Sequence, residues 1–187
     1  MEVYLMKKIL ALVLALVLCM SAAVALADTY GTAALTTVGT ATNAEVKDGE
    51  AKNGKFQTNT TMCFLVLDDE GKIKYVKFDV VQAPVQFDAE GKCVTEQGTE
   101  ILSKEAKKYD YGMAKVSQLE KGEWFEQIAA FEAYCIGKTV EEVAGIPFYS
   151  LNESHTTCPD VEELKTTCTM TVGDYIEALK AAAEVAK

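Results

Sequence analysis

The chain has 187 residues, a formal net charge of −10 at neutral pH, and 49% hydrophobic residues. Its permanently cationic side chains are all lysines, because the sequence contains no arginine. These properties argue against binding to nucleic acid or to an anionic membrane surface, where cationic side chains provide the affinity. The length suits a single domain with a well-filled hydrophobic core.

The first 27 residues have the pattern of a secretory signal peptide. Two lysines precede an apolar run at residues 9–20, and small residues then lead to an A-x-A cleavage site that ends at Ala27. The apolar run is shorter than the roughly 20 residues that a transmembrane helix needs. We therefore expect export, with cleavage after Ala27. The alternative is a lipoprotein anchored through Cys19, although Leu18 is larger than the residue that normally precedes a lipidated cysteine.

The residues after the expected cleavage site show no strong pattern. Residues 28–37 are small, polar and poor in aromatic side chains, so we interpret them as a flexible lead-in. Residues 38–187 are then expected to form a single domain. Its first strand is predicted over residues 38–46.

The strongest strand signal is a hairpin over residues 56–82. Two alternating stretches flank the polar connection Asp68–Gly71, whose glycine supplies the positive φ of a tight turn. On the first strand, Met62, Phe64 and Val66 alternate with Thr61, Cys63 and Leu65. On the second strand, Val76, Phe78 and Val80 alternate with Tyr75, Lys77 and Asp79. One face of the hairpin is therefore expected to be apolar and the other mixed.

A second turn of the same type, at residues 88–91, extends the strand pattern. Residues 93–95 follow it as a candidate fourth strand. Pro84 restricts residues 85–87 to an edge strand or a loop, because proline cannot donate a hydrogen bond to a neighbouring strand. The N-terminal half is thus predicted to be a meander of antiparallel strands.

Helical patterns begin only in the C-terminal half. Ser103 is expected to cap a short basic helix that runs through Lys108, with Gly112 as the left-handed stop that follows. The best amphipathic pattern covers residues 122–136, and residues 174–186 predict the last helix. The apolar stripe of the first of these two contains Trp124, Ile128, Phe131 and Cys135. Because strands come first and helices second, the fold class is predicted to be α+β, an antiparallel meander sheet packed by helices from the C-terminal half.

The segment Glu163–Thr169 resembles the attachment motif of bacterial FMN-binding domains, D-[LI]-x-[ST]-G-A-[ST]. The residues that agree are Leu164, Thr166 and Thr169. Glu163 stands in for the aspartate, while Thr167 and Cys168 take the places of the glycine and the alanine. In that family the last hydroxyl residue can hold FMN through a phosphoester bond. The order of strands, helices and motif over residues 38–186 is also similar to that family.

The resemblance implies FMN as a cofactor and an exported protein that carries or contacts a flavin for extracytoplasmic electron transfer. Thr169 would be the attachment point or phosphate contact, with Thr166 assisting. Gly112 and Met113 would line the approach to the flavin. A redox protein or a small molecule would be the partner, and we expect an electron carrier or binding module rather than an enzyme with turnover.

Several alternatives stay open from the sequence. The first is the same fold with a degenerate site, a cell-surface ligand-binding or interaction module, which the lost motif glycine and the missing arginine favour. The second takes residues 166–171 simply as a β-branched strand.

An aromatic-rich group in the helical half could stack on a flavin or fill the core instead. It contains Tyr109, Tyr111, Met113 and Trp124.

The remaining chemistry-bearing residues are the cysteines and the only histidine. Cys158 and Cys168 flank a short segment and are a candidate disulfide. His155 and Cys158 have an H-x-x-C spacing, but with Cys168 they offer only three ligands where structural zinc takes four. We therefore expect no metal site.

Overall fold

The computed structural model describes residues 28–117, 119 and 122–187. The expected signal peptide and Cys19 lie outside the described residues. The strands are β1 (Thr29–Thr42), β2 (Glu45–Lys47), β3 (Glu50–Lys52), β4 (Gly54–Leu67), β5 (Ile73–Phe87), β6 (Phe148–Tyr149) and β7 (Cys158–Pro159). The α-helices are α1 (Lys104–Lys107), α2 (Trp124–Cys135), α3 (Val140–Ala144) and α4 (Gly173–Glu184). Within the described part of the chain, no helix has the length and apolar character that a bilayer-spanning segment needs.

A long antiparallel sheet in the order β1-β4-β5 forms the N-terminal half, and the C-terminal helices pack on it. This confirms the predicted α+β architecture. The central hairpin is also confirmed: β4 and β5 meet at a turn in which Asp68 O accepts a hydrogen bond from Gly71 N at 3.0 Å. Gly71 has a φ of 77°, and the Asp68 carboxylate accepts two further backbone N–H groups. The local turn chemistry therefore fixes the hairpin register.

The core face of the hairpin is the one that contains Cys63. Cys63 pairs with Phe78 across the strands, and Leu65 pairs with Val76. All four side chains are buried against the helices, whereas Phe64 lies on the opposite face and is 40% exposed. The alternation along both strands is thus as predicted, and tertiary packing selects which set faces inward.

Residues 29–37 are the first half of β1, so the interpretation of residues 28–37 as a flexible lead-in is wrong. β1 pairs with β4 along its whole length, from Thr29 opposite Leu67 to Thr42 opposite Lys55. The small residues that suggested disorder have a packing role, because α4 crosses β1 at Gly31. A Cβ atom on Gly31 would overlap the carbonyl oxygen of Ala182. At Gly31 there is no room for a side chain, because the backbone of α4 occupies that space.

Two further strand predictions change at the far end of the sheet. The strand expected over residues 38–46 divides, since β1 ends at Thr42 and Glu45 opens the small β2–β3 hairpin. The fourth strand expected at residues 93–95 is reduced to a single bridge between Phe87 and Cys93. Pro84 lies within β5, which is an edge strand, so its missing N–H leaves no neighbouring strand unpaired.

Helix α2 joins the helical layer to the sheet. The members of its predicted stripe are all buried, as expected: Trp124, Ile128, Phe131 and Cys135. Phe131 stacks on Phe78 of β5 with ring centroids 5.9 Å apart. Glu132 lies beside the same strand, where its carboxylate accepts hydrogen bonds from Phe78 N at 2.8 Å and Lys77 Nζ at 3.1 Å. This contact satisfies an edge donor of the sheet and limits pairing with another chain.

The cysteines in the described residues are all free thiols, so the candidate disulfide between Cys158 and Cys168 is not formed. Burial raises the pKa of the Cys63, Cys135 and Cys168 thiols to about 12. These thiols are therefore protonated at neutral pH and serve as small hydrophobic groups in the core.

The close approach of β1 and α4 predicts the effect of one methyl group. We expect Gly31→Ala to lower the free energy of unfolding by about 2–3 kcal/mol, because the added Cβ forces the helix away from the strand. Thr32→Ala, one residue further on the exposed face, is the control and should change it by no more than about 0.5 kcal/mol. Chemical denaturation measures both. Equal stability of the two variants would contradict the packing of β1 against α4.

Candidate functional site

A cleft with a volume of about 900 Å³ opens between the turns after α1, the start of α2, the β6–β7 loop and the segment before α4. Its size is near the upper end of the roughly 300–1,000 Å³ that small-molecule sites occupy. Three of the predicted site residues line it: Gly112, Met113 and Thr169. Thr166 is exposed and lies outside the lining, so the assisting role expected for it has no support in the geometry.

The motif segment forms a helical turn rather than the β-branched strand that was the alternative. A 3-10 turn at Glu162–Leu164 continues into an α-type hydrogen bond from Cys168 N to Leu164 O at 2.8 Å. Leu164 and Cys168 are therefore one turn apart on the same side, and both are buried in the core. These two anchors place the next residue, Thr169, at the cleft.

The threonine that replaces the motif glycine is compatible with this conformation. Among the described non-glycine residues, only Asp48 and Lys108 have positive φ, so Thr167 is not in the left-handed region. Its hydroxyl donates to Glu163 O at 3.3 Å, and its side chain is exposed outside the cleft. Thr167 consequently neither strains the backbone nor fills space that a ligand would need.

Gln127 of α2 fixes the Thr169 side of the cleft. Its side chain is fully buried, and its Oε1 accepts hydrogen bonds from Thr169 N at 2.9 Å and Met170 N at 3.1 Å. Its Nε2 donates to Gly122 O at 3.0 Å. A buried amide with both ends satisfied is orientationally specific, so Gln127 sets where Thr169 lies relative to α2.

Glu123, one helical turn earlier, fixes the opposite side. Its buried carboxylate accepts hydrogen bonds from Met113 N at 2.9 Å and Ala114 N at 3.1 Å. Gly112 adopts the predicted left-handed conformation with a φ of 77°, which turns the chain so that these N–H groups point at the carboxylate. Charge-assisted bonds of this kind are roughly twice as strong as neutral ones.

Aromatic side chains form the floor and walls of the cleft. Trp124 is 1% exposed, and its Nε1 donates to the Tyr175 hydroxyl at 2.8 Å, so it belongs to the floor rather than standing free as a stacking surface. Tyr111 and Tyr149 are half-buried walls. Tyr109, the remaining aromatic of the predicted group, is 71% exposed outside the lining and packs edge-on against Phe125.

The charged groups of the cleft lining are cationic. They are Lys104 and Lys165, and no acidic residue of the described chain joins them. This differs from the protein as a whole, whose net charge is −10. A concave site lined by one sign of charge raises the local concentration of the opposite ion, so this cleft favours anionic ligands.

Lys104 is the most enclosed of these cations. Its Nζ lies 4.9 Å from the ring centroid of Tyr111 and 5.7 Å from that of Trp124. No carboxylate among the described residues lies within ion-pair distance of it. Burial lowers the pKa of the Lys104 amine to about 8, and the more distant Asp174 and Asp79 carboxylates only partly oppose that effect.

The other two basic side chains of the lining lie at the exposed rim. Lys165 pairs with Glu162 at 2.6 Å, and the His155 ring Nδ1 lies 2.9 Å from Asn152 Oδ1. Among the described residues, no group of three or more His, Cys, Asp or Glu side chains is placed to hold a metal ion.

Removal of the Gln127 amide tests its bridging role. We expect Gln127→Leu to lower the free energy of unfolding by about 2–4 kcal/mol, because two backbone N–H groups and one carbonyl lose their buried partner. Gln86→Leu, at an exposed position of β5, is the matched control. It should change the free energy of unfolding by no more than about 0.5 kcal/mol. Urea titration compares the two, and similar losses for both would show that the Gln127 bridge does not hold the segment.

Lys104 gives a pH-dependent prediction for the ligand-free protein. The pKa of Lys104 is about 8 in the folded protein, and its ordinary value is 10.5. Between these two pH values the unfolded chain binds more protons than the folded protein. The free-energy cost of burying the charged amine therefore falls as the pH rises. We expect Lys104→Met to be more stable than wild type by about 1 kcal/mol at pH 7, where the burial penalty is complete. The difference should shrink from pH 8 to 10 in thermal unfolding. A constant difference would mean that burial does not depress the Lys104 pKa.

Comparison with protein-family models, with curated proteins and with solved structures finds no match to this chain. The cleft geometry and the motif at residues 163–169 therefore provide the basis for assigning a function.

Proposed function

We propose that the protein binds FMN in this cleft and acts outside the cytoplasm as an electron carrier rather than as an enzyme with turnover. One observation carries the proposal. The predicted site residues Gly112, Met113 and Thr169 come from two distant parts of the sequence, and they line the same cleft. The buried Glu123 and Gln127 side chains fix both segments to one helix, so the juxtaposition is built into the fold.

The residues of the cleft fit the chemistry of this cofactor. Tyr111, Tyr149 and Met113 offer apolar surface to a planar ring system, and the cationic lining suits a phosphate. Thr169 would contact the phosphate or hold it through an ester. FMN supplies the redox chemistry when bound, while the protein orients it and excludes water from it.

The location and partner follow from the same proposal. The signal-peptide pattern of residues 1–27 supports export, with lipid anchoring through Cys19 as the less favoured route to the cell surface. A small redox-active molecule or a redox protein would exchange electrons with the flavin. The acidic surface supports no role for nucleic acid.

A second candidate function is a cell-surface ligand-binding module without flavin. The exposed position of Thr166, outside the cleft, favours it, because one hydroxyl of the motif then has no contact with a ligand. The cleft would in that case hold a different anionic aromatic compound.

Flavin loading distinguishes the two functions. We expect the protein to take up FMN, with visible flavin absorbance. It should retain flavin after denaturation when a flavin transferase moves the FMN group from FAD to the Thr169 hydroxyl, with AMP as the leaving group and loss of the hydroxyl proton. Thr169→Ala should lose the retained fraction because it lacks the attachment hydroxyl. Thr167→Ala is the control, since that hydroxyl is two residues away and outside the cleft.

Each outcome has a separate meaning. Retained flavin in Thr169→Ala would reject Thr169 as the attachment residue while leaving flavin binding in place. A protein that binds no FMN, with or without the transferase, would reject the flavin function and leave the second candidate.

A further inference from the structure

We propose that Lys104 is the anion-binding group of the cleft, and that the ligand is therefore an aromatic compound that carries a phosphate. The FMN part of this inference rests on the function proposed above. The role of Lys104 as an anion receptor does not, and it is tested separately below.

Lys104 has no carboxylate partner among the residues that the structure describes. Its Nζ lies against the rings of Tyr111 and Trp124, at 4.9 and 5.7 Å from their centroids. Ring faces stabilise an ammonium only partly, and a buried charge normally has a paired counter-ion. An anionic group of a ligand in the cleft would supply that counter-ion and three hydrogen-bond acceptors for its N–H groups.

The acidic groups around Lys104 do not serve as its counter-ion. Asp79 of β5 uses one carboxylate oxygen to accept the backbone N–H groups of Val80, at 2.7 Å, and Glu105, at 3.1 Å. Asp174 of α4 is exposed, and neither aspartate is within ion-pair distance of the lysine. The Glu123 carboxylate of α2 is engaged by the Met113 and Ala114 N–H groups.

The phenols that face the same space are neutral near physiological pH. Burial raises the pKa of Tyr111 and of Tyr175 above its ordinary value, so neither hydroxyl becomes an anion below pH 9. Lys104 is therefore the group whose charge changes in the interior of the cleft between pH 7 and 9, since its pKa is about 8.

The other basic side chains of the lining are less suited to receive the anion. Lys165 is exposed and already paired with Glu162 at 2.6 Å. His155 is exposed at the rim and lies next to the Asn152 side-chain oxygen. Water screens a charge at either position, whereas Lys104 acts in a partly desolvated site.

Trp124 offers a direct measurement of occupancy. It is the only tryptophan of the chain, it lines the cleft, and it lies beside Lys104. Quenching of its fluorescence, corrected for absorption by the ligand, therefore gives the dissociation constant of any ligand in the cleft. The probes are FMN, riboflavin, which is the same ring system without the phosphate, and anilinonaphthalenesulfonate, an aromatic anion unrelated to flavins.

The variants are Lys104→Met, Lys104→Arg and the control Lys92→Met. Lys92 is exposed in the turn at residues 88–92, so its removal changes the net charge equally without touching the cleft. We expect wild type to bind FMN about 10- to 100-fold more tightly than riboflavin, as one charge-assisted contact allows. Lys104→Met should lose that preference and keep riboflavin affinity within about twofold, while Lys92→Met should match wild type.

The pH dependence provides an independent readout. Anion binding favours protonated Lys104, so FMN affinity of wild type should fall about tenfold between pH 7 and 9 as the free amine loses its proton. Lys104→Arg should retain the FMN preference and show no such fall, because a guanidinium stays charged. Thermal unfolding of each variant at both pH values establishes that the folded protein is compared.

The results separate the two proposals. Equal FMN affinity in Lys104→Met and Lys92→Met would overturn the role of Lys104 while leaving flavin binding intact. If neither flavin quenches Trp124, the flavin function fails, and the sulfonate probe decides the inference. Quenching by the sulfonate that is lost in Lys104→Met but kept in Lys104→Arg would support an anion receptor. Sulfonate quenching that is the same in wild type and both Lys104 variants, or that is absent in wild type, would overturn the role of Lys104 as an anion receptor.

Discussion

Two buried polar side chains hold the cleft in shape, one at the N-cap of α2 and the other one turn later in the same helix. Glu123 binds the backbone at residues 113–114, and Gln127 binds the backbone at residues 169–170. Buried acceptors and donors of this kind stabilise only when their partners have the right geometry, so they select one arrangement of the two segments. The relative position of the cleft walls thus depends on a spacing of four residues along a single helix.

That helix is in turn fixed by apolar packing on the sheet. Its stripe lies on the hairpin, where Phe131 stacks on Phe78, and the Glu132 carboxylate binds the edge of β5. The same helix therefore faces two environments, with apolar contacts towards the sheet and a polar pair towards the cleft. This division makes the hairpin a scaffold, because its displacement would move α2 and both walls with it.

Features set by local periodicity could be predicted from the sequence. The hairpin, the α2 stripe and the left-handed Gly112 depend on neighbours a few residues away, and they appear as expected. Features set by distant contacts could not. The small residues of β1 resemble disorder until α4 is placed against them, and Lys104 looks like an ordinary surface lysine until Tyr111 and Trp124 enclose it. The burial of Gln127 could have been predicted, because Gln127 is a polar residue at the edge of an apolar stripe.

The contact between β1 and α4 has a consequence for how the chain acquires its structure. The strand that begins the described chain packs against the helix that ends it, and Tyr30 and Lys187 exchange backbone hydrogen bonds at 3.1 and 3.3 Å. The core between the sheet and the helices therefore cannot be completed before α4 has been synthesised, because α4 follows all strands of the sheet in the sequence. Contacts between elements so far apart in the sequence slow folding, because the entropy of closing a long loop opposes them until the contact has formed.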